Sequence, residues 1–466
     1  LAEFGAIQPE PPRQSTTVFY DTADLALARW GCLLRHRTRE GWTVKLPDFG
    51  TGDGLERPEI AFDGPPGDPP RAALDLLVAF LRGRRVAPVA RVRMLRRRIV
   101  IRDGQGATLL DIVDDRVSLD DAAPRTMRQL EIELRDESAG DLRDRVVGAL
   151  RSAGAEAGDR RTKYAWALGD RVPPPEVLAP KITARSTAAD VARYGLATSV
   201  IALIRRDADV RGGGDPEAVH QARVVVRRLR SDLRTFKGVL DAEWTRAMRT
   251  ELDWLGEILG RVRDRQVLAA RLREGRDVPD DADLRPVTGI LDEEVARARV
   301  DLEDAMGSER YLGLVDELVA AAQNPRVHAG DGTAASVLRP AVDRSWKRLR
   351  KAVRTVRADP ARHELHPVRI EAKRLRYTCE MLGSVFGKPA QRLASAAKEL
   401  QDVLGEYQDA VVARDWLRDH SAADGASTAF ALGELAALEV AIRDRAEAEW
   451  PAAWKALRRR RPTKWH

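Results

Sequence analysis

Two textures of hydrophobic and polar positions divide the chain. From about residue 15 to 168, short runs alternate between apolar and polar residues and are separated by turn residues. Thr16 to Tyr20, Leu33 to Arg39, Gly41 to Leu46, Arg91 to Ile101, Thr108 to Val113 and Gln129 to Arg135 have the two-residue period of strands. Gly- and Pro-rich stretches at Asp48 to Gly54 and Gly64 to Pro70 punctuate them. Two helical patterns interrupt, Arg71 to Arg82 and Asp141 to Ser152, the second with Leu142, Val146 and Leu150 on one stripe. These elements predict an α+β domain over 1–168 built largely of antiparallel strands. A proline-dense segment over 169–182 reads as a semi-rigid linker. From 183 to the end, apolar residues recur at every third and fourth position, broken at Arg211 to Pro216, Gly275 to Pro286 and Asn324 to Thr333. The last break lies midway, so the helical region predicts two halves, about 183–323 and 334–455, each supplying about four helices: two pseudo-symmetric four-helix bundles.

The halves repeat one another. His220, Arg223, Arg227, Arg228, Leu229 and Arg230 recur as His366, Arg369, Lys373, Arg374, Leu375 and Arg376, 146 residues on. Leu255, Leu259, Gly260 and Asp264 recur as Leu400, Leu404, Gly405 and Asp409, 145 residues on. Asp215 followed by Pro216 predicts a helix start, with Asp as N-cap and Pro at the first helical position. At roughly 100° per residue, Val225, Val226, Leu229, Leu233 and Phe236 then form an apolar stripe, and His220, Arg223, Arg227, Arg230 and Arg234 face the other way. In the second copy Val368, Ala372, Leu375, Cys379 and Leu382 make the core stripe, and His366, Arg369, Lys373 and Arg376 the basic one. Cations stacked at i, i+3 and i+4 repel by tenths of a kcal/mol per pair, so a helix gains nothing from them alone. A doubled cationic surface predicts a long, regular polyanion as partner, with arginine forks suited to phosphate oxygens.

Composition narrows this picture. Seventy-nine basic residues against 72 acidic ones leave a net charge of only +7, so function depends on where the cations cluster. Two cysteines, Cys32 and Cys379, exclude a disulfide framework and a cysteine zinc site. No apolar run approaches the roughly 18 residues of a membrane span and no secretory signal is present, which predicts a cytoplasmic protein without a membrane partner. The basic helices lack the aromatic interleaving of base-stacking surfaces, which argues against nucleic acid.

On the paired blocks His220–Arg230 and His366–Arg376, with the Leu-Gly…Asp blocks that follow, residues 183 to 455 resemble a CHAD domain, the conserved-histidine α-helical domain. The resemblance implies two four-helix bundles whose basic central groove binds inorganic polyphosphate. It assigns the ligand to His220, Arg223, Arg227, Arg230, His366, Arg369, Lys373 and Arg376, with Arg234 joined to them by its place on the same helix face, and it implies association with polyphosphate granules. Arg228 and Arg374 match the pattern but project about 80° from the histidines. Lys347, Arg348 and Lys351 are groove candidates from local charge alone. Gly260, Asp264, Gly405 and Asp409 read as structural, at a helix–helix junction.

In the strand region the signal is charge alternation. Arg35, Arg37 and Arg39 share one face of a strand, as do Thr43 and Lys45, Arg91, Arg93 and Arg97, and Glu131 and Glu133. Two arrangements fit: a sheet with one solvated face, or a closed sheet whose apolar outer face lies under helices and whose charged face lines a tunnel. Tyr20-Asp21-Thr22, Leu34-Arg35-His36-Arg37, Thr43-Val44-Lys45, Arg57-Pro58-Glu59, Glu131-Ile132-Glu133 and Lys163-Tyr164, in that order, resemble a CYTH domain, the triphosphate tunnel metalloenzymes. The resemblance implies an antiparallel eight-stranded barrel. It assigns substrate phosphates to Arg35, Arg37, Lys45, Arg57, Arg91, Arg93 and Lys163, and Mg²⁺ or Mn²⁺ to Glu131, Glu133 and Asp115, with Asp111 nearby. The family opens on a Glu-x-Glu-x-Lys strand that no segment before Tyr20 supplies. Either that strand lies upstream of Leu1, as the absence of an initiating Met favours, or half of the metal site is lacking.

Two functions follow. One is a metal-dependent tripolyphosphatase with an appended polyphosphate-binding domain, where tethering holds a long chain beside a short-chain site. The other is a non-catalytic protein that binds and localises polyphosphate. Adenylate cyclisation is a minor variant of the first.

Overall fold

A computed structural model describes residues 4, 6–47, 59–120, 125–136, 139–158, 162–183, 185–213, 215–273, 285–328, 333–357, 364–421 and 426–460. The chain divides into two units, 1–176 and 177–466, so the boundary falls inside the proline-dense segment. The N-terminal unit keeps the first part of that segment because the Glu176 carboxylate accepts from Trp30 Nε1 and from Arg82, both at 2.6 Å.

In the N-terminal unit the strands are β1 (Ala6–Pro9), β2 (Arg13–Asp21), β3 (Leu33–Arg37), β4 (Gly41–Lys45), β5 (Glu59–Phe62), β6 (Ala87–Arg102), β7 (Thr108–Leu119) and β8 (Thr126–Leu134). They form one eight-stranded antiparallel sheet in the order β5-β4-β3-β2-β6-β7-β8. β1 continues the line of β2 along β6, with Pro11 and Pro12, which lack amide donors, standing between the two strands. The expected strand number is met but the expected closed barrel is not: among the described residues no pairing joins β5 to β8, and both are sheet edges. Between the strands lie α1 (Ala26–Trp30), α2 (Arg71–Asp75) and α3 (Val78–Leu81), and after β8 come α4 (Gly140–Ser152) and α5 (Lys163–Leu168). α4 covers the outer face at one end, where Val146 packs on Ile101, Leu110 and Ile112. On the inner face, Phe19, Val92, Met94 and Val117 pack against Tyr164 and Leu168 of α5.

Asp21 ties this unit together. Its buried carboxylate accepts from Tyr164 Oη at 2.6 Å and from the amides of Leu27 and Ala28 in α1, at 2.8 and 2.9 Å. Removing it strands all three donors, and each buried unsatisfied donor costs about 1–3 kcal/mol. Asp21→Ala is therefore expected to destabilise the N-terminal unit by about 3 kcal/mol or more, read as a lower urea midpoint.

The second unit is helical throughout: α6 (Ala188–Arg211), α7 (Pro216–Thr235), α8 (Ala242–Arg273), α9 (Arg285–Gly307), α10 (Glu309–Gln323), α11 (Ala334–Arg354), α12 (Leu365–Met381), the single turn α13 (Gly383–Phe386), α14 (Lys388–Asp419) and α15 (Ala426–Arg459). Among the described residues the first half thus has five helices rather than four, because Ser308 caps α10 after Gly307 and ends α9 there. The sequence repeat is a structural repeat. Thr187 and Thr333, 146 residues apart, each N-cap the first helix of a half, and they form a β-bridge to one another. α7 and α12 carry the repeated basic blocks and pack together, with Thr235 Oγ1 3.4 Å from Thr378 Oγ1. Their expected core stripes are buried except at Val225, which is half-buried: Val226, Leu229 and Leu233 on α7 with Phe236 just after it, and Val368, Ala372, Leu375 and Cys379 on α12 with Leu382 just after it.

Candidate functional sites

Asp215 caps α7 as expected, accepting from the Glu217 amide at 2.8 Å, with Pro216 at the first helical position. The apolar stripe of α7 is held against α6 and α8, which leaves its basic stripe beside that of α12. Arg223, Arg227, Arg369 and Lys373 are all partly buried and act on one another electrostatically. Burial, reinforced by Arg369, Arg227 and Arg223, pushes the Lys373 ammonium down to about 7. Burial likewise lowers Arg227 and Arg369, and the Nε atoms of both are buried without a hydrogen-bond partner. Counter-charge is sparse. Arg223 reaches Asp264 at 3.3 Å, and Asp409 is the acid that acts most strongly on Arg369, its own carboxyl raised by burial.

The repeated Leu-Gly…Asp blocks lie where α8 packs on α7 and α14 on α12, and at these helix junctions they seat the arginines. A Cβ at Gly260 would lie 3.5 Å from Arg223 Nε, and one at Gly405 would lie 3.9 Å from Arg369 Nε. The glycines let the guanidinium groups lie across α8 and α14, and the aspartate one turn on faces the same arginine. This role was legible in the sequence, since the glycine and aspartate repeat at nearly the same offset as the arginines they serve.

The remaining expected residues sit around this centre. His220 lies beside Arg263, and burial together with that cation lowers its pKa. His366 Nδ1 is 3.2 Å from Gln408 Oε1. Arg230 pairs with Asp253, and Arg376 pairs with Glu380 at 2.6 Å while donating to Gln401 at 3.2 Å. Arg234 belongs to a further group with Arg374, Arg249 and Arg348; burial and those cations push it down to about 10. Lys347, Arg348 and Lys351 are all exposed, and of the three Arg348 acts electrostatically on Arg234. Arg249 and Arg263 were missed because they do not repeat: the corresponding positions of α14 are Ala394 and Gln408.

In the sheet unit, a cavity of about 660 Å³ opens on the concave face. The strand register assembles it: Arg37 lies opposite Thr17, Arg35 opposite Phe19 and Thr43, and Lys45 opposite Glu59. Arg37 is buried and donates to Thr17 Oγ1 at 3.0 Å and Glu40 at 2.8 Å. Arg35 donates to Glu59 at 3.2 Å, and burial with Arg37 beside it lowers its pKa to about 10. Lys163, at the start of α5, binds Asp115 and Glu131 at once, the latter at 2.9 Å. Arg96 forks onto Asp115 with both bonds at 2.8 Å. Burial would raise the Asp115 carboxyl, but these bonds hold it below its usual range.

Two expected substrate residues are displaced from the cavity. Val92 pairs with Thr17, so Val92, Met94 and Arg96 face inward while Arg91 and Arg93 point outward. Arg93 there bonds Asp120 at 3.1 Å. Arg96 takes their place. Arg57 lies outside the described residues. Of the expected carboxylates, Glu131 and Glu133 line the cavity, but Glu133 is bound by Arg135 at 2.7 Å. Asp111 is bound by Arg98 and Arg135. Among the described residues no three His, Cys, Asp or Glu side chains gather as a metal site. Five cations and four carboxylates line the cavity, so its charge is nearly compensated, unlike the α7–α12 cluster.

A helical unit with two packed, repeated basic helices seated on Gly-x-x-x-Asp partners defines the class: residues 194–418 match the CHAD domain. Over 495 aligned positions the chain is 30% identical to the protein named uncharacterized protein Rv2226 of Mycobacterium tuberculosis (strain ATCC 25618 / H37Rv), across 98% of this chain and 92% of that protein, and it belongs to the same family. Among solved structures it resembles the CHAD domain from the plant Ricinus communis, with a TM-score of 0.51 and 26% identity, over 60% of this chain and 95% of the plant chain. PptA from Streptomyces chartreusis matches with a TM-score of 0.48 and 22% identity, over 58% of this chain and 100% of its own. Among the described residues no helix is long and apolar enough to cross a membrane.

Proposed function

We propose that this protein binds inorganic polyphosphate along the joined basic faces of α7 and α12. The observation that carries this reading is the cluster of Arg223, Arg227, Arg369 and Lys373. Four cations are brought together out of bulk water, with Lys373 pushed to about 7 and two guanidinium Nε atoms unpartnered. Such an arrangement is costly unless an anion completes it. A flexible chain of evenly spaced phosphates supplies charge to all four, and the CHAD likeness points to the same ligand. Binding should follow counterion release. With four phosphate contacts and the single-strand coefficient, affinity falls about fiftyfold between about 50 and 200 mM salt. Calorimetric titration with long-chain polyphosphate tests this, and binding that ignores salt would refute it.

The cavity of the sheet unit supports a second, catalytic reading, in which the N-terminal unit is a CYTH-like triphosphatase. Arg35, Arg37, Lys45, Arg96 and Lys163 offer donors to a triphosphate within one concave surface. Asp115 and Glu131 already share one cationic centre at Lys163 Nζ, the donor set that Mg²⁺ or Mn²⁺ uses when phosphate oxygens and water complete its shell. A metal bound there would neutralise triphosphate charge and acidify a water. The chain's own part is to fix the phosphates: Arg37, locked by Thr17 and Glu40, and Arg35, locked by Glu59, hold their forks in place before substrate arrives. Phosphate release from tripolyphosphate with Mg²⁺ or Mn²⁺ should be lost in Glu131→Gln. Release that persists in the variant would overturn this site, and release absent from the parent protein would leave a polyphosphate-binding and localising protein, a role compatible with granules in the cytoplasm.

A further inference from the structure

The outer face of the sheet is covered by α4 over Ile101, Leu110 and Ile112. Farther along the same strands, β6, β7 and β8 with β2 leave a hollow of about 880 Å³. The register builds it. Leu95 of β6 pairs with Arg116 of β7, and Arg116 with Arg128 of β8. Two residues along, Arg93 pairs with Ser118 and Ser118 with Thr126. These side chains alternate with Met94 and Val117, which belong to the core on the inner face, so they point outward. Arg39, in the turn after β3, also lines the hollow.

An antiparallel sheet ordinarily gives a polar face to water, but two features set this one apart. Four arginines line the hollow and, among the described residues, no carboxylate does, whereas the concave cavity on the other face is lined by four carboxylates. Arg116 and Arg128 also stand directly opposite one another, and like charges so placed destabilise a sheet. Buried Asp114 holds Arg128 through two bonds of 2.8 and 2.9 Å, and the exposed Asp120 meets Arg93 at 3.1 Å. Among the described residues no acid pairs with Arg39 or Arg116.

We propose that this hollow is a separate anion site, which takes a short inorganic oligophosphate on the outer face of the sheet. Guanidinium forks match phosphate oxygens, and the hydroxyls of Thr16, Ser118 and Thr126 add donors beside them. At about 4.8 Å between strands and about 3.4 Å per residue, the Cα atoms of Arg93, Arg116 and Arg128 fall within about 12 Å of one another. Three forks therefore converge on one short run of phosphates, and the bound charge offsets the repulsion between Arg116 and Arg128. Among the described residues no aromatic ring lines the hollow, so a nucleobase has no stacking partner there and an inorganic chain fits better than a nucleotide. This site depends neither on the basic helices nor on the concave cavity being catalytic.

Calorimetric titration with tripolyphosphate, without divalent cations, tests it on the full chain carrying Arg227→Ala/Lys373→Ala, in which the helical track is weakened. Arg39→Asn/Arg116→Thr is then added. Both replacements suit their backbones, Asn the φ of 73° at position 39 and Thr the strand at 116. The number of tripolyphosphate sites per chain should fall by one, with the unfolding temperature unchanged or higher because a like-charge pair is gone. Arg116→Lys, which keeps the charge but not the fork, should retain the site at lower affinity. A site count and affinity unchanged by Arg39→Asn/Arg116→Thr would overturn the proposal. ATP should bind the site no more tightly than tripolyphosphate, and ATP binding there more than about tenfold tighter would overturn its assignment to an inorganic chain. The helical track is altered equally in both proteins compared, so failure of this site and failure of polyphosphate binding on α7 and α12 are read separately.

Discussion

Arg227→Ala/Lys373→Ala is expected to lose polyphosphate binding by two to four orders of magnitude and, at the same time, to unfold at a higher temperature. Both effects have one origin. In the free protein these cations are partly buried beside Arg223 and Arg369, so the fold bears desolvation and repulsion that the ligand relieves. Hydrogen bonds to charged groups contribute about 1.5–3 kcal/mol each, so losing two contacts costs roughly 3–6 kcal/mol of binding. Alanine keeps the helix and removes the repulsion, which the free protein registers as added stability. Calorimetric titration and thermal unfolding of the same two samples provide the check. A variant that binds weakly because it is misfolded would show a lower melting temperature, and that result would sink the assignment.

The helical site was more legible in the sequence than the sheet site, for a geometric reason. On α7 and α12 the 3.6-residue period puts every third or fourth residue on a fixed face, so the apolar stripe from Val226 to Phe236 also located the cations opposite it. Repetition then confirmed each position. What escaped was whatever broke the repeat, Arg249 and Arg263, and the contribution of Gly260 and Gly405, which is made by an absent side chain. In β6 the reading failed because Arg91, Arg93, Arg96, Arg97 and Arg98 place arginines on both faces of one strand. A period of two then says which residues belong together but not which set faces in. Only the pairing of Val92 with Thr17, which lies beside Arg37, decides that Arg96 enters the cavity and that Arg91 and Arg93 leave it. Closure of the sheet is likewise a long-range property, since it depends on partners for β5 and β8 that no local pattern specifies.

Polyphosphate binding is expected to take up a proton. In the free protein Lys373 titrates near 7, against 10.5 for an ordinary lysine, because of burial and then Arg369, Arg227 and Arg223; Asp409 is the acid that opposes the shift. Between pH 7 and 10.5 the folded, free protein therefore holds fewer protons than the unfolded chain. Its stability is lost as pH falls through that window and recovers as pH rises. The ligand reverses the sign. Phosphate oxygens beside the ammonium favour its charged form, so the complex holds the proton that the free site gives up. At pH 8 a group titrating near 7 is about nine-tenths neutral, and binding should take up about 0.9 proton, measurable by titration in two buffers of different ionisation enthalpy. Above pH 7 the affinity should then fall about tenfold per pH unit until the pKa of the bound state is reached. Lys373→Arg separates charge from titration: guanidinium stays protonated across this range, so the variant should bind with a flat profile. If Lys373→Arg kept the full pH slope, the proton would belong to another group, with His220 the next to examine, and Lys373 would be a fixed charge rather than the element that adjusts this site to its ligand.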